Sequence, residues 1–335
     1  MPARQRVFSG QRPTGPLHVG HLIGALQTWV RLQDDHECFF GIVDWHMLTT
    51  NYEDTAALDE NIVDMAATWL ACGIDPERST LLVQSQVKQH AELALILGMV
   101  APLGELMRLS TYKDQIEQLK NRDLNTYGFL GYPVLQTADI AAYRATRVPV
   151  GEDQVEHIEK AREFIRRFNH LYGKGKEILP EPKEILSATP RILGVDGRKM
   201  SKSYDNAINL ADDSKTILKK VSVMVTDPAR VRRDDPGNPD VCSVFAYHKI
   251  FSPEEVAAVD AECRSAARGC TDCKKHLAKN LDALVAPVRE ARETWLGRRG
   301  DVEEILHAGN QRASEETERT LESVRGAIGL RGGSK

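Results

Sequence analysis

The chain has 335 residues, and 44 Lys and Arg against 48 Asp and Glu give a formal charge of −4. That length suits roughly two domains of ~150 residues each, and 41% hydrophobic with 27% charged residues describe an ordinary soluble globular chain. The longest apolar run, Leu93 to Leu103, is broken by Gly98 and Pro102 and falls short of the ~18 residues of a membrane span. The N-terminus MPARQRVFSG has no secretory pattern, so a cytoplasmic location is expected. Near-zero charge argues against a protein that coats DNA or RNA and leaves room only for local nucleic-acid contact. Six cysteines are few for a disulfide scaffold and point to free thiols or metal ligands.

In chain order, Arg6–Ser9 reads as a strand, Leu17–Leu32 as a helix, Glu37–Asp44 as a buried strand, Thr55–Cys72 as a helix and Thr80–Gln84 as a strand. This alternation predicts an α/β fold, a Rossmann-like parallel sheet with ligands at the carboxyl ends of its strands. Residues 87–143 read as mostly helical. A strand at Arg147–Val150 then leads through Gly151 into a helix from Glu152 to Asn169. Pro- and Gly-rich connections and a loop at Gly194–Ser203 follow, and helical periodicity dominates beyond Asn206. The expected organisation is a catalytic domain over residues 1–205 and a helical domain over residues 206–335.

Between the first strand and the first helix lies Gly10-Gln11-Arg12-Pro13-Thr14-Gly15-Pro16-Leu17-His18-Val19-Gly20-His21. Backbone N–H groups at such a junction bind phosphate, Gly20 permits close approach, and His18 and His21 can donate to phosphate oxygens. An ordinary glycine-rich β-α turn has the same composition. Lys199-Met200-Ser201-Lys202-Ser203 adds two ammonium groups and two hydroxyls on a loop, which suits a triphosphate whose charge moves onto departing pyrophosphate.

Tyr132, Gln136 and Asp139 stand at i, i+4 and i+7, one face of a helix. A carboxylate on that face can accept a single N–H donor and so discriminate against side chains lacking one. A solvent-facing polar stripe has the same spacing. Val148-Pro149-Val150-Gly151-Glu152-Asp153-Gln154 marks a strand-to-helix junction whose acids can accept ribose hydroxyls or serve the helix dipole. Its Gln154 can reach an α-amino group.

The HVGH and KMSKS segments resemble the two motifs of class I aminoacyl-tRNA synthetases. The runs VFSGQRPTG, GIVDWHMLTT, GELMRLSTYKDQ, YPVLQTADI and VPVGEDQVEHIEKAREFIRRFN resemble the bacterial tryptophanyl-tRNA synthetases over essentially the whole chain. That resemblance implies a tryptophan–tRNA ligase that uses ATP with Mg²⁺, acts as a homodimer with residues 87–115 at its interface, and has tRNA(Trp) rather than DNA as its nucleic-acid partner. It makes His18, His21, Lys199 and Lys202 catalytic. It puts Gly10, Arg12, Pro13, Thr14, Gly20, Gly151, Glu152, Asp153, Ile192, Met200, Ser201 and Ser203 at ATP. It puts Phe8, His46, Tyr132, Gln136, Asp139 and Gln154 around tryptophan, with Asp139 on the indole N–H. Many relatives carry methionine in the place of Gln136. Tyrosyl-tRNA synthetases use a similar Tyr…Gln…Asp helix for a phenol, so the helix alone leaves both amino acids open. A small-molecule nucleotidyltransferase and a synthetase-derived regulator are the remaining readings. Neither needs HVGH, KMSKS and Asp139 together.

Cys38 and Cys72 read as core residues. Cys242, Cys263, Cys270 and Cys273 are separated by 20, 6 and 2 residues, a spacing that can close a zinc site or hold an iron–sulfur cluster. Some bacterial tryptophanyl-tRNA synthetases carry a [4Fe–4S] cluster on a similar arrangement, which makes that the expectation, with Zn²⁺ as the alternative. Arg230, Arg232, Arg233, Arg264, Arg268, Lys274, Lys275 and His276 surround the motif. They are either tRNA contacts near the anticodon or solvated surface.

Overall fold

The computed structural model describes residues 4–110, 112, 124–186, 192–198, 200, 204 and 206–330, with the Asp153 side chain outside it. β1 (Arg6–Gln11) runs parallel to β2 (Glu37–Ile42), Arg6 opposite Glu37 and Gln11 opposite Ile42. With β3 (Ser79–Val83), β4 (Arg147–Val150) and β5 (Lys183–Leu186) they form an all-parallel sheet in the order β3-β2-β1-β4-β5. The last five residues of β2 are buried, as a central parallel strand covered on both faces requires.

The principal described helices are α1 (Gln27–Leu32), α2 (Asp44–Asn51), α3 (Leu58–Ala71), α4 (Gln89–Gly98), α5 (Leu103–Arg108), α6 (Tyr127–Ala142) and α7 (Val155–Tyr172). They continue as α8 (Ser214–Ser222), α9 (Ser243–Phe251), α10 (Val256–Arg264), α11 (Cys270–Leu296) and α12 (Arg299–Ile328). None of the described helices is long and apolar enough to cross a membrane.

The chain forms two compact units. Unit 1 comprises Met1–Thr14, Ala25–Ala188 and Arg298–Lys335, and unit 2 comprises Gly15–Gly24 and Thr189–Gly297. They interleave along the sequence, where a single division near residue 205 was expected. The reason in unit 1 is α12. It returns to the sheet and lies so close to β3 that a Cβ on Gly309 would meet the Leu81 carbonyl oxygen at 1.7 Å. Only glycine permits this approach. The neighbouring Asn310 Oδ1 accepts the Val83 N–H at 2.8 Å, which satisfies a donor on the edge strand. Buried Val302, Leu306, Ala313, Leu321 and Val324 form the apolar stripe of α12. Ion pairs from Arg299 to Asp59 and Glu60, and from Arg325 to Glu92, fix its register.

Two local features depart from the sequence reading. β5 arises from Lys183-Glu184-Ile185-Leu186, read as part of a connection. It is a short, half-exposed edge strand directly after Pro182, so it carries no apolar run to announce it. The helix expected from Leu17 begins at Val19 and passes through a π-helical stretch, Leu22–Leu26, before α1.

In unit 2, Ile217 and Val221 of α8 and Leu277, Leu281 and Val285 of α11 are buried, and α8 and α9 both pack on α11. Asp213 caps α8 by accepting the Thr216 N–H at 2.7 Å. The segment Gly15–Gly24 joins this unit through backbone bonds. Val19 N–H donates to Ile208 O at 3.0 Å, and Leu210 N–H donates to Leu17 O at 2.8 Å.

Candidate active site

Unit 1 holds a cavity of about 340 Å³ bordered by the carboxyl-terminal parts of β1 and β4 and by α2 and α6. That is where a parallel sheet places ligands. Thr126 starts α6 by accepting the Phe129 N–H at 3.2 Å. From that helix Tyr132, Gln136 and Asp139 line the cavity together, as their spacing predicts. Phe8, His46 and Gln154 line it from β1, α2 and the turn before α7. The Tyr132 hydroxyl is hydrogen-bonded to the ring of His157.

Asp139 is 1% exposed and stands at the centre of a buried polar network. One oxygen receives His46 Nε2 at 2.8 Å and the other His90 Nδ1 at 2.6 Å, while Gln84 Nε2 donates to both at 2.8 and 2.9 Å. The Gln84 amide is oriented because its Oε1 accepts the Trp45 N–H at 3.1 Å. His90 Nε2 lies 2.7 Å from the Tyr143 hydroxyl. Burial alone raises the Asp139 pKa, but the charge of His90 and hydrogen bonds from His46 and His90 outweigh it. The carboxyl therefore sits well below the usual carboxylate range. Burial beside that carboxylate holds Tyr143 well above the ordinary phenol range, so its hydroxyl keeps its proton. A buried anion fixed in this way presents a set position and charge to the cavity.

Gly10, Arg12 and Gly151 also border the cavity. Pro13, Thr14 and Glu152 do not border it, and Glu152 is exposed. In unit 2, His18 N–H donates to His21 Nδ1 at 3.1 Å and the two rings lie 3.7 Å apart. A Cβ on Gly20 would meet the His18 ring at 2.9 Å and lie 3.6 Å from Met200 Sδ, so Met200 adjoins the HVGH turn. Ile192 is buried in the same unit. Lys199, Ser201, Lys202 and Ser203, like the Asp153 side chain, lie outside the described residues.

A second cavity, in unit 2, is lined by all four cysteines of the spaced motif together with Arg230 and Arg268. Cys242 stands at the start of α9, Cys263 on α10, and Cys270 and Cys273 in the first turn of α11. Burial raises the Cys263 thiol and pushes Cys273 up to about 12. Among the described residues, no group of three or more Cys, His, Asp or Glu side chains is placed to hold a metal ion. His248 on α9 is fully buried beside Cys273, and burial pushes its pKa down to about 4.

A family model described as tRNA synthetases class I (W and Y) matches residues 2–286. The tryptophan–tRNA ligase of Thermotoga maritima is 50% identical over 328 residues, covering 97% of this chain and 99% of that one. The chain belongs to the bacterial tryptophanyl-tRNA synthetases, a class I family. The tryptophan–tRNA ligase of Aquifex aeolicus is 41% identical over 396 residues, covering 97% of this chain and 100% of its own. Among solved structures, the tryptophanyl-tRNA synthetase of Campylobacter jejuni complexed with ADP and tryptophan superposes with a TM-score of 0.87 at 32% identity, over 97% of this chain and 100% of that one.

Within this synthetase fold, the sequence reading missed the shell behind Asp139. Gln84 follows β3, His90 belongs to α4 and Tyr143 follows α6. Gln84 and His90 come from a segment some fifty residues before Asp139, so no local spacing marks them, whereas Tyr143 stands four residues after Asp139 and continues its helical stripe. For Gln84 and His90 the one local hint is the run of polar residues in VQSQVKQH after a buried strand. Cys38 is a buried thiol of unit 1, as read, whereas Cys72 is half-buried at the end of α3, and burial pushes each up to about 12.

Proposed function

We propose that the unit 1 cavity binds tryptophan for ligation to tRNA(Trp), the reaction of the family to which the chain belongs. The observation that carries this reading is the convergence of Phe8, His46, Tyr132, Gln136, Asp139 and Gln154 on one cavity around a fixed buried carboxylate. The aromatic and apolar walls suit a bicyclic ring, and the α6 face offers the polar groups for its single N–H donor.

The reaction has two steps. A tryptophan carboxylate oxygen attacks the α-phosphorus of ATP, the bond to the bridging oxygen breaks, and pyrophosphate leaves. A hydroxyl of the terminal tRNA ribose then attacks the activated carbonyl and AMP leaves. No covalent enzyme intermediate is needed, so positioning and charge carry the catalysis. His18, Gly20, His21 and Met200 are assigned to ATP phosphates and adenine with Ile192, and Lys199, Ser201, Lys202 and Ser203 to the departing pyrophosphate. Gly10, Arg12, Pro13, Thr14, Gly151, Glu152 and Asp153 are assigned to ATP as well, with the two acids on ribose hydroxyls. Mg²⁺ accompanies the nucleotide as part of the substrate.

The four cysteines suit a [4Fe–4S] cluster. All four border one cavity, two arginines border it with them, and a Cβ on Gly237 would lie 2.6 Å from Cys263 Sγ, so glycine lets the chain pass close to that sulfur. A cluster held by Cys242, Cys263, Cys270 and Cys273 supplies a covalent tie between the starts of α9 and α11 and helix α10. Metal and sulfide analysis of anaerobically purified protein tests this: iron with sulfide is expected, and zinc alone would contradict it.

Exposed Leu95 on α4, Met99 directly after it, Leu103 and Met107 on α5 and Tyr127 at the start of α6 support a homodimer through these residues. Exposed Arg232, Arg233 and Lys275 in unit 2 support contact with the anticodon end of tRNA, whereas Arg264 and Arg268 are engaged in ion pairs with acidic neighbours. Aminoacylation of tRNA(Trp) with labelled tryptophan tests the whole reading. Transfer that depends on both ATP and tRNA(Trp) is expected, and adenylate formation without transfer would contradict it.

A further inference from the structure

His248 takes no part in the amino-acid cavity, yet it is fully buried and held at both ring nitrogens. Asn280 Nδ2 donates to Ser252 Oγ at 2.8 Å. Ser252 Oγ lies 3.1 Å from His248 Nδ1, and His248 Nε2 lies 3.4 Å from Cys273 Sγ. These contacts have a direction. Once the serine oxygen accepts from Asn280, its own proton is free to point at His248 Nδ1. A neutral ring that accepts at Nδ1 carries its proton on Nε2, and that N–H faces the sulfur.

We infer that His248, oriented by Asn280 and Ser252, is a positioning residue that donates an N–H···S hydrogen bond to Cys273 and thereby tunes the group the four cysteines hold. The inference rests on the reading of those cysteines as [4Fe–4S] ligands. Donation to a ligating thiolate draws charge from the sulfur, stabilises the reduced and more negative state, and strengthens retention of the cluster. The imidazole is not counted as a ligand, since the four thiolates already complete the set.

The test uses anaerobically purified, full-length protein as wild type and as His248→Leu, His248→Gln and Ser252→Ala. The readouts are iron and sulfide content, reduction potential by potentiometric titration with electron paramagnetic resonance, and cluster loss to a chelator. His248→Leu should retain iron and sulfide, show a lower potential, and lose its cluster roughly 10-fold faster. His248→Gln, which can still donate, should return toward wild type, and Ser252→Ala should shift in the same direction by less. Tryptophan-dependent ATP–pyrophosphate exchange should stay unchanged in all three. An unshifted potential and unchanged loss rate in loaded His248→Leu protein would overturn the inference while leaving the cluster reading intact. So would loss of iron in both His248 variants, which would make the residue a ligand. Wild-type protein without iron and sulfide would instead overturn the cluster reading, and this inference with it.

Discussion

In unit 1, the buried carboxylate of Asp139 has its donors in place: His46, Gln84 and His90 hold both oxygens, and the charge is fixed before any ligand arrives. In unit 2, four cysteines border a cavity with Arg230 and Arg268, and burial raises the Cys263 and Cys273 thiols. One site is complete as a hydrogen-bonded network. The other brings four cysteines to one cavity, where we propose that a metal group completes the set. The proposed roles differ accordingly: fixed geometry for amino-acid choice at the first site, and occupancy by a metal group for the local fold at the second.

Substitutions that strike one site and spare the other sharpen this contrast. The largest effect is expected from Asp139→Ala, which strips three buried donors of their acceptor. Tryptophan-dependent ATP–pyrophosphate exchange should fall by roughly 10³-fold or more, with iron and sulfide content unchanged. Loss of metal in that variant would break the separation. Cys270→Ser should do the reverse, abolishing cluster content and lowering the melting temperature of the helical unit while leaving exchange within about 3-fold of wild type.

Gly309→Val tests the return of α12 to the sheet. Its side chain would collide with the Leu81 carbonyl, and a loss of about 3 kcal/mol in denaturant unfolding is expected. Wild-type stability would show that α12 is not seated on β3. The smallest effect concerns charge: Lys274→Glu with Lys275→Glu should raise the KM for tRNA about 5-fold without changing exchange, as loss of local phosphate contacts does. Equal loss of both activities would remove the tRNA role of this surface.

Acid titration separates the carboxylate's charge from its shape. Its depressed folded-state pKa means that Asp139 stabilises the fold fully above the unfolded value of ~3.9, a contribution lost as pH falls below that. The stability gap between wild type and Asp139→Asn should therefore narrow from pH 5 to pH 2, as chemical denaturation at each pH would show.

Much of this was legible in the sequence wherever one local pattern had one physical cause. The β-rich runs of β1 to β4 read directly as parallel strands, and the i, i+4, i+7 spacing of Tyr132, Gln136 and Asp139 placed them on one cavity wall. The spacing of the four cysteines likewise preceded their meeting around one cavity. What stayed hidden depends on contacts between distant segments. Gly309 gives no sign in sequence that its helix must touch Leu81, so the interleaving of the two units could not be read. Gln84 and His90 meet Asp139, and His90 meets Tyr143, only once β3, α4 and α6 are folded together. β5 is too short and too exposed to produce an apolar signal.

Selection of tryptophan by the Asp139 cavity is decided by ATP–pyrophosphate exchange with tryptophan and tyrosine as alternative substrates: exchange with tryptophan and a kcat/KM for tyrosine lower by at least about 10³-fold are expected, whereas comparable or preferential exchange with tyrosine would show that the cavity does not select tryptophan.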